Sequence, residues 1–321
     1  MCSFAAFPHP PLSGGYNAKM PRAVREARTT EHRLRSSRHL DRMSSLAIVR
    51  LMNREDRRVA IAVQRELPAI ARAVDAIVSA IHKGGRLIYV GAGTSGRLAV
   101  LDASECPPTF GTSPDLVQAI IAGGRRAIVS AVEGAEDSSS NGVRDLREKK
   151  LSGRDVVVGI AASGTTPYVL GAIKYARKVG AATIAVTCNR EAPLSRLADI
   201  AIATTVGPEV LTGSTRLKAG AAQKMVLNML STAAMVRLGH VYENLMIDVA
   251  LTNEKLTGRA LRILAEASGK DVSSAKRALR QSKHNMRLAL VMLKRGITAH
   301  EASEQLSQAH GNLQLALNTR G

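Results

Sequence analysis

Two short segments combine small residues with hydroxyls in a pattern suited to holding a phosphate. They are GAGTSGR (91–97) and ASGTTP (162–167), each following a strand-like run and opening a helix-like one. Small residues let the backbone approach a ligand. Free N–H groups at a helix start, with Ser and Thr hydroxyls, then hydrogen-bond its phosphate oxygens. The candidates are Gly93, Thr94 and Ser95 in the first segment and Ser163, Gly164, Thr165 and Thr166 in the second. A third segment, GPEVLTGSTRLKAG (207–220), sets Thr212, Ser214, Thr215, Arg216 and Lys218 ahead of another helix. It suits an anion or sugar hydroxyls. Two carboxylates stand out beside these loops. Glu105, in SECPPT, is expected just beyond the first loop and its helix, held rigid by Pro107 and Pro108. Glu136 lies in the acidic turn Glu133-Gly-Ala-Glu136-Asp137, which equally reads as a surface loop with helix-capping carboxylates.

Other chemistries find less support. The GxxxxGK[ST] phosphate loop is absent, and no His/Asp/Glu spacing resembles HExxH or a facial triad, so no metal is expected. Gly91, Gly93 and Gly96 match G-x-G-x-x-G literally, without a firm ribose-binding acid, so a dinucleotide site stays open at this point. Most histidines lie towards the two ends, with no nucleophile triad in view. Cys2, Cys106 and Cys188 are far apart, which gives neither a disulfide framework nor a CxxC clip. Cys106 reads as a small packed residue. A reducing, cytoplasmic setting follows from this cysteine usage.

The elements that must position these groups alternate. Apolar residues at helical spacing from Leu46 to His82 predict two or three amphipathic helices, broken near Asn53 and Pro68. Strands are predicted at 86–90, 116–121, 155–160, 182–186 and 199–203, separated by helix-length connections. That order gives an α/β fold, a parallel sheet covered by helices on both faces, which binds ligands outside the carboxyl ends of its strands. Lys218–Leu238 reads as one helix, and 255–321 as short helices joined at Gly269, Gly296 and Gly311. The divisions expected are a disordered basic tail (1–28), with Met20 as an alternative start, a main domain (29–250) and a small basic helical domain (251–321).

The 321 residues carry 45 Lys and Arg against 26 Asp and Glu, a formal net charge of +19. Residues 1–50 contribute +6 and residues 251–321 contribute +7, so the excess concentrates at the ends. A solvated basic tail or face explains such runs. With three Phe, five Tyr and no Trp, the aromatic platforms of single-strand nucleic-acid binders are missing. The longest apolar runs fall short of a membrane span. Neither nucleic acid nor membrane is expected as a partner.

Four collinear blocks make the reading specific: GRLIYVGAGTSGRLAVLDASECPPTFG (85–111), AVEGAEDS (131–138), ASGTTPYV (162–169) and GPEVLTGSTRLKAGAAQKMVLNMLSTAAMVRLG (207–239). They resemble the N-acetylmuramic acid 6-phosphate etherases of the sugar isomerase (SIS) superfamily. The related glucokinase regulatory proteins share parts of the last block but carry two SIS domains, and 321 residues allow one. The resemblance implies a three-layer sandwich around a five-stranded parallel sheet and a dimer with its site near the subunit interface. It implies conversion of N-acetylmuramate 6-phosphate and water into N-acetylglucosamine 6-phosphate and D-lactate, a carbon–oxygen lyase reaction without metal or organic cofactor. It places the catalytic glutamates on Glu105 and Glu136. The phosphate falls to Thr94, Ser95, Ser163, Thr165 and Thr166, with Ser214, Arg216 and Lys218 in the third loop. Rival readings are a phosphosugar isomerase on the same fold, a non-catalytic sugar-phosphate sensor and, from charge alone, a nucleic-acid binder.

Overall fold

A computed structural model describes residues 29–249, 251, 254–309 and 311–318. The basic tail read at 1–28 lies outside the described residues. Five parallel strands, β1 (Leu87–Gly91), β2 (Val117–Ile121), β3 (Val156–Ile160), β4 (Ala182–Thr187) and β5 (Ile200–Ala203), form one sheet in the order β2-β1-β3-β4-β5. The strand predictions hold to within one residue at each end. β1 and β3 are buried along their whole length, as the continuous apolar runs require of a sheet covered on both faces.

Alternation along the strands divides the core in two. Leu87, Tyr89, Val156, Val158, Ile184 and Val186 face one way. They meet α1 (Ser45–Gln64), α2 (Leu67–His82), α3 (Gly93–Phe110) and, after the later loops, α8 (Lys218–Arg237). Ile88, Val90, Val157 and Ala185 face the other way. The short α4 (Arg126–Val129) follows β2 and packs beside α3. On the second face lie α5 (Ser139–Glu148), α6 (Pro167–Val179) and α7 (Pro193–Leu197). The result is the three-layer sandwich expected.

Two local expectations are corrected. The chain does not break at Asn53: α1 runs unbroken from Ser45 to Gln64, because Asn53 is solvent-exposed and an exposed Asn lowers helix propensity only slightly. The break comes at Arg65–Glu66, with Pro68 in the first turn of α2, where its missing N–H is harmless. Second, Glu105 does not follow the first helix but belongs to it. α3 continues through Pro107 and Pro108 to Phe110, and Gly111 (φ 62°) closes it with an N–H bond to the Pro107 carbonyl. Burial of Ala99, Ala103, Cys106 and Phe110 along one side of α3 outweighs the hydrogen bonds that the prolines remove.

A separate core gathers Tyr242, Ile247 and Val249 with α9 (Glu254–Ser268), α10 (Val272–Gln281), α11 (Met286–Arg295), α12 (Ala299–Gln308) and α13 (Leu313–Asn318). This is the small helical unit. Gly269, Gly296 and Gly311 adopt positive φ at its turns, as the sequence suggests. Asp248 fastens the unit to the sandwich: it pairs with Arg287 and with His240 (2.8 Å), and its carbonyl sits so close to Gly111 that a Cβ there would lie 2.5 Å away.

Candidate active site

The two hydroxyl loops leave neighbouring strands. Gly91 of β1 pairs with Ile160 of β3, so Ala92–Thr94 and Ala161–Ser163 emerge side by side at the carboxyl edge of the sheet. Gly93, Thr94 and Ser95 form the first turn of α3, and Ala92, its N-cap, offers no side-chain cap. Those first N–H groups have no intrahelical acceptor and point beyond the helix start. The glycine pattern here has a packing cause. A Cβ on Gly91 would lie 2.7 Å from the Gly96 nitrogen, and one on Gly96 would lie 2.5 Å from Ile121 Cγ1. The literal G-x-G-x-x-G match therefore follows in part from close approach of strand and helix.

The second loop is braced from below. Asn189 Nδ2 donates to the carbonyls of Ala162 and Ser163 (3.2 Å each), and the Cys188 N–H donates to Ala162. Ser163 Oγ accepts from both the N–H (3.3 Å) and the hydroxyl (3.1 Å) of Thr165. Thr166 occupies the N-cap position of α6 without a side-chain cap bond, and Pro167 occupies its first turn. Gly164 is buried at φ 69°, and a Cβ there would sit 2.3 Å from Ala192 Cβ. Gly164→Ala is accordingly expected to cost about 1–3 kcal/mol through left-handed strain and overpacking. Urea unfolding of the purified variant measures this; an unchanged midpoint would remove the argument.

The third segment reaches the first loop through its helix. Gly220, in the first turn of α8, lies 3.5 Å from Thr94 Cγ2 (measured to a Cβ built on Gly220), and Ser95 Oγ donates to Gln223 Oε1 at 2.9 Å. Ser214 is half-buried and Arg216 is exposed in the connecting loop. Lys218 is placed differently from the expectation of a ligand contact. Its side chain is 1% exposed and its ammonium pairs with Glu55 at 2.9 Å, inside the sandwich. Glu209, fully buried, accepts from the N–H groups of Lys218 (3.1 Å) and Ala219 (2.9 Å). Burial pushes the Glu209 carboxyl above its ordinary range, against the lowering effect of those N–H bonds and the Lys218 charge. The loop is thus pinned by a buried charged cluster.

Glu105 lies exposed on α3, one turn beyond the buried Asp102. Asp102 accepts from Tyr89 Oη (2.9 Å) on β1 and Ser231 Oγ (3.2 Å) on α8, tying the helix to both. Cys106 is buried, its thiol directed to the Asp102 carbonyl and pushed up to about 12 by burial, so it packs and does not react. Glu136 sits in a single 3-10 turn (Ala135–Asp137) after a left-handed Gly134. Partial desolvation by the surrounding chain, then the charges of Asp137 and Glu133, raise its carboxyl pKa. Arg97 joins the two regions: from α3 it donates to the carbonyls of Ile128 (2.9 Å) and Ser130 (3.3 Å), just before the acidic turn. Neighbours of both glutamates, but neither Glu105 nor Glu136, line an open cleft of about 1300 Å³ along the edge strand β2, away from the hydroxyl loops. Ala103, Ser104 and Pro107 line one wall, and Glu133, Gly134 and Ala135 line another. Among the described residues, no cluster of His, Cys, Asp and Glu suited to a metal ion is found.

The sequence reading passed over Arg97, Asp102, Asn189, Glu209 and Gln223. For Arg97, Asn189 and Gln223 the partner is far away in the chain and leaves no local spacing to detect, whereas Glu209 binds backbone N–H groups, which leave no side-chain signal.

Comparison with known proteins places this arrangement. The chain is 54% identical over 288 residues to the N-acetylmuramic acid 6-phosphate etherase of Yersinia pestis (strain Pestoides F), covering 90% of this chain and 98% of that protein. The etherase of Yersinia pseudotuberculosis serotype O:1b (strain IP 31758) matches equally. The chain belongs to the N-acetylmuramic acid 6-phosphate etherase family. Within it, the N-terminal SIS domain of glucokinase regulatory protein matches residues 69–177 and the SIS domain matches residues 142–233. The C-terminal lid domain of glucokinase regulatory protein matches residues 243–314. This last match coincides with the second helical core. A phosphoheptose isomerase structure from Francisella tularensis is also similar (20% identity, TM-score 0.48, 60% of this chain and all of that one).

Proposed function

We propose that the chain cleaves the lactyl ether of N-acetylmuramate 6-phosphate, giving N-acetylglucosamine 6-phosphate and D-lactate, with Glu105 and Glu136 as its acid and base. The observation that carries this is the 54% identity over 288 residues to a named etherase, supported by the two hydroxyl loops side by side at the carboxyl edge of the sheet. An ether resists direct hydrolysis because an alkoxide leaves poorly. In the ring-opened sugar the C2 proton is α to the C1 aldehyde and can be removed by a base. The electron pair then forms the C2–C3 double bond as the C3–O bond breaks. An acid protonates the departing lactate oxygen, and water adds back across the double bond. Glu136 is the base at C2: its raised pKa makes it a stronger base once ionised. Glu105 is the acid that protonates lactate and later activates water.

The phosphate is assigned to Gly93, Thr94, Ser95, Ser163, Gly164, Thr165 and Thr166. Holding it away from C2 and C3 supplies positioning. Ser214 and Arg216 are assigned to the sugar side, with Lys218 pinning their loop from within. The sugar-phosphate domain is assigned to 29–250 and the helical domain to 251–321, with Tyr242, Ile247 and Val249 reaching forward into the helical core. Ten residues separate Ser95 from Glu105, about 15 Å along the helix axis. That span supports a homodimer, in which a second copy brings its own α3 end towards these loops. The chain is assigned to the cytoplasm, where a phosphorylated sugar is retained.

A coupled assay for D-lactate released from N-acetylmuramate 6-phosphate tests the reading, with release expected. Isomerisation without lactate would favour a phosphosugar isomerase, and binding without turnover a sensor. Ser163→Ala is expected to raise KM about tenfold with little change in kcat, the worth of one hydrogen bond to a charged group. Equal use of unphosphorylated N-acetylmuramate by the wild type would refute the phosphate assignment.

A further inference from the structure

The Ser95 hydroxyl poses a problem for phosphate binding. It is buried at the first turn of α3, and its hydrogen is directed to Gln223 Oε1 at 2.9 Å. A hydroxyl has a single hydrogen to donate. While Gln223 accepts it, Ser95 presents only lone pairs, which repel a phosphate oxygen. Gln223 carries a second anomaly. It is 1% exposed, on α8 one turn from the Gly220 that abuts Thr94, and its Nε2 has no hydrogen-bond partner. Buried polar atoms without partners are rare, and each asks for a reason.

One movement frees the hydrogen and gives Nε2 a partner, leaving Oε1 in the unpartnered position. A half-turn of the Gln223 amide exchanges Oε1 and Nε2 in the same space. Nε2 then donates to Ser95 Oγ, and the hydroxyl hydrogen is released to point at an incoming phosphate oxygen. We propose that Gln223 is the positioning residue that sets the direction of the Ser95 hydrogen, turning its amide as phosphate binds. This rests on the assignment of Ser95 to the phosphate. No covalent bond changes; one donor and one acceptor exchange roles. Gln, which offers both on one planar group, can do this, and an acceptor-only or apolar side chain cannot.

The test is a double-mutant cycle on Ser95→Ala and Gln223→Leu, with Gln223→Glu alongside, read as KM and kcat for lactate release and as competitive inhibition by inorganic phosphate. Ser95→Ala and Gln223→Leu should each raise KM about tenfold and weaken phosphate inhibition similarly, with kcat within about twofold. On the Ser95→Ala background, Gln223→Leu should add less than about twofold, because the two act through one hydrogen. Gln223→Glu keeps the shape and loses the donor, so it should raise KM at least as far. It also serves if Gln223→Leu fails to fold. If Ser95→Ala raises KM while both Gln223 variants leave it unchanged, the inference is overturned and the phosphate assignment stands. Multiplying effects in the double variant, or losses in kcat alone, overturn it too. An unchanged KM in Ser95→Ala removes the phosphate assignment and the inference together.

Discussion

Glu105→Gln is expected to abolish lactate release, lowering kcat by about 10²–10⁴-fold, the range of a positioned proton-transfer group. The amide keeps the size of the carboxylic acid and cannot supply the proton that the leaving oxygen needs. The proposed mechanism gives the C2 step to Glu136, so exchange of the C2 hydrogen with solvent should persist. Incubating the variant with N-acetylmuramate 6-phosphate in heavy water, and following C2 deuteration against lactate formation, separates the two steps. Because Glu105 is exposed on α3, stability should stay within about 0.5 kcal/mol of the parent. Normal lactate release would return Glu105 to the status of a surface residue. Loss of both lactate and C2 exchange would instead assign it the first step.

The largest effect on stability is expected at Lys218. Replacing it with Met leaves Glu55, 2% exposed, without its 2.9 Å partner. Breaking a buried ion pair from one side costs about 3–5 kcal/mol. Arg58, 3.6 Å from Glu55 and mostly in solvent, offsets little of that. A fall in Tm on the order of 10 °C follows for a domain of this size. The double variant Glu55→Leu with Lys218→Met removes both charges and should regain most of the loss. Calorimetry on the three proteins checks this. A Lys218→Met variant as stable as the parent, with a raised KM, would move Lys218 from the core to the substrate.

What could be read from the chain follows from how local each signal is. The strands were legible because a buried parallel strand is a short apolar run, and DVVVGI (155–160) has no competing period. The hydroxyl loops were legible because one loop carries the whole signal. Glu105 was found as a residue but misplaced as an element: a double proline locally forbids the helix, and only the burial of Cys106 and Phe110 shows why it continues. The turn at Ser282–Asn285 lacks glycine, and Lys283 and His284 take up the left-handed conformation themselves, so the joint between α10 and α11 left no mark. Lys218 misled for the opposite reason. In a donor-rich loop a lysine reads as a ligand contact, and its true partner lies 163 positions earlier.

α3 carries the Ser95 hydroxyl, here assigned to the phosphate, at its start and the Glu105 carboxylate three turns on. A helix is stiff along its axis, so its two ends cannot be adjusted separately in evolution. A substitution at Ala99 or Ala103, packed midway, would tilt the whole rod and shift affinity and turnover in step. The far end is softer, since Pro107 and Pro108 cannot donate to the carbonyls of Ala103 and Ser104. Natural variation that retunes the chemistry without loosening the grip on phosphate should therefore collect around that proline pair, the one stretch of the rod able to bend on its own.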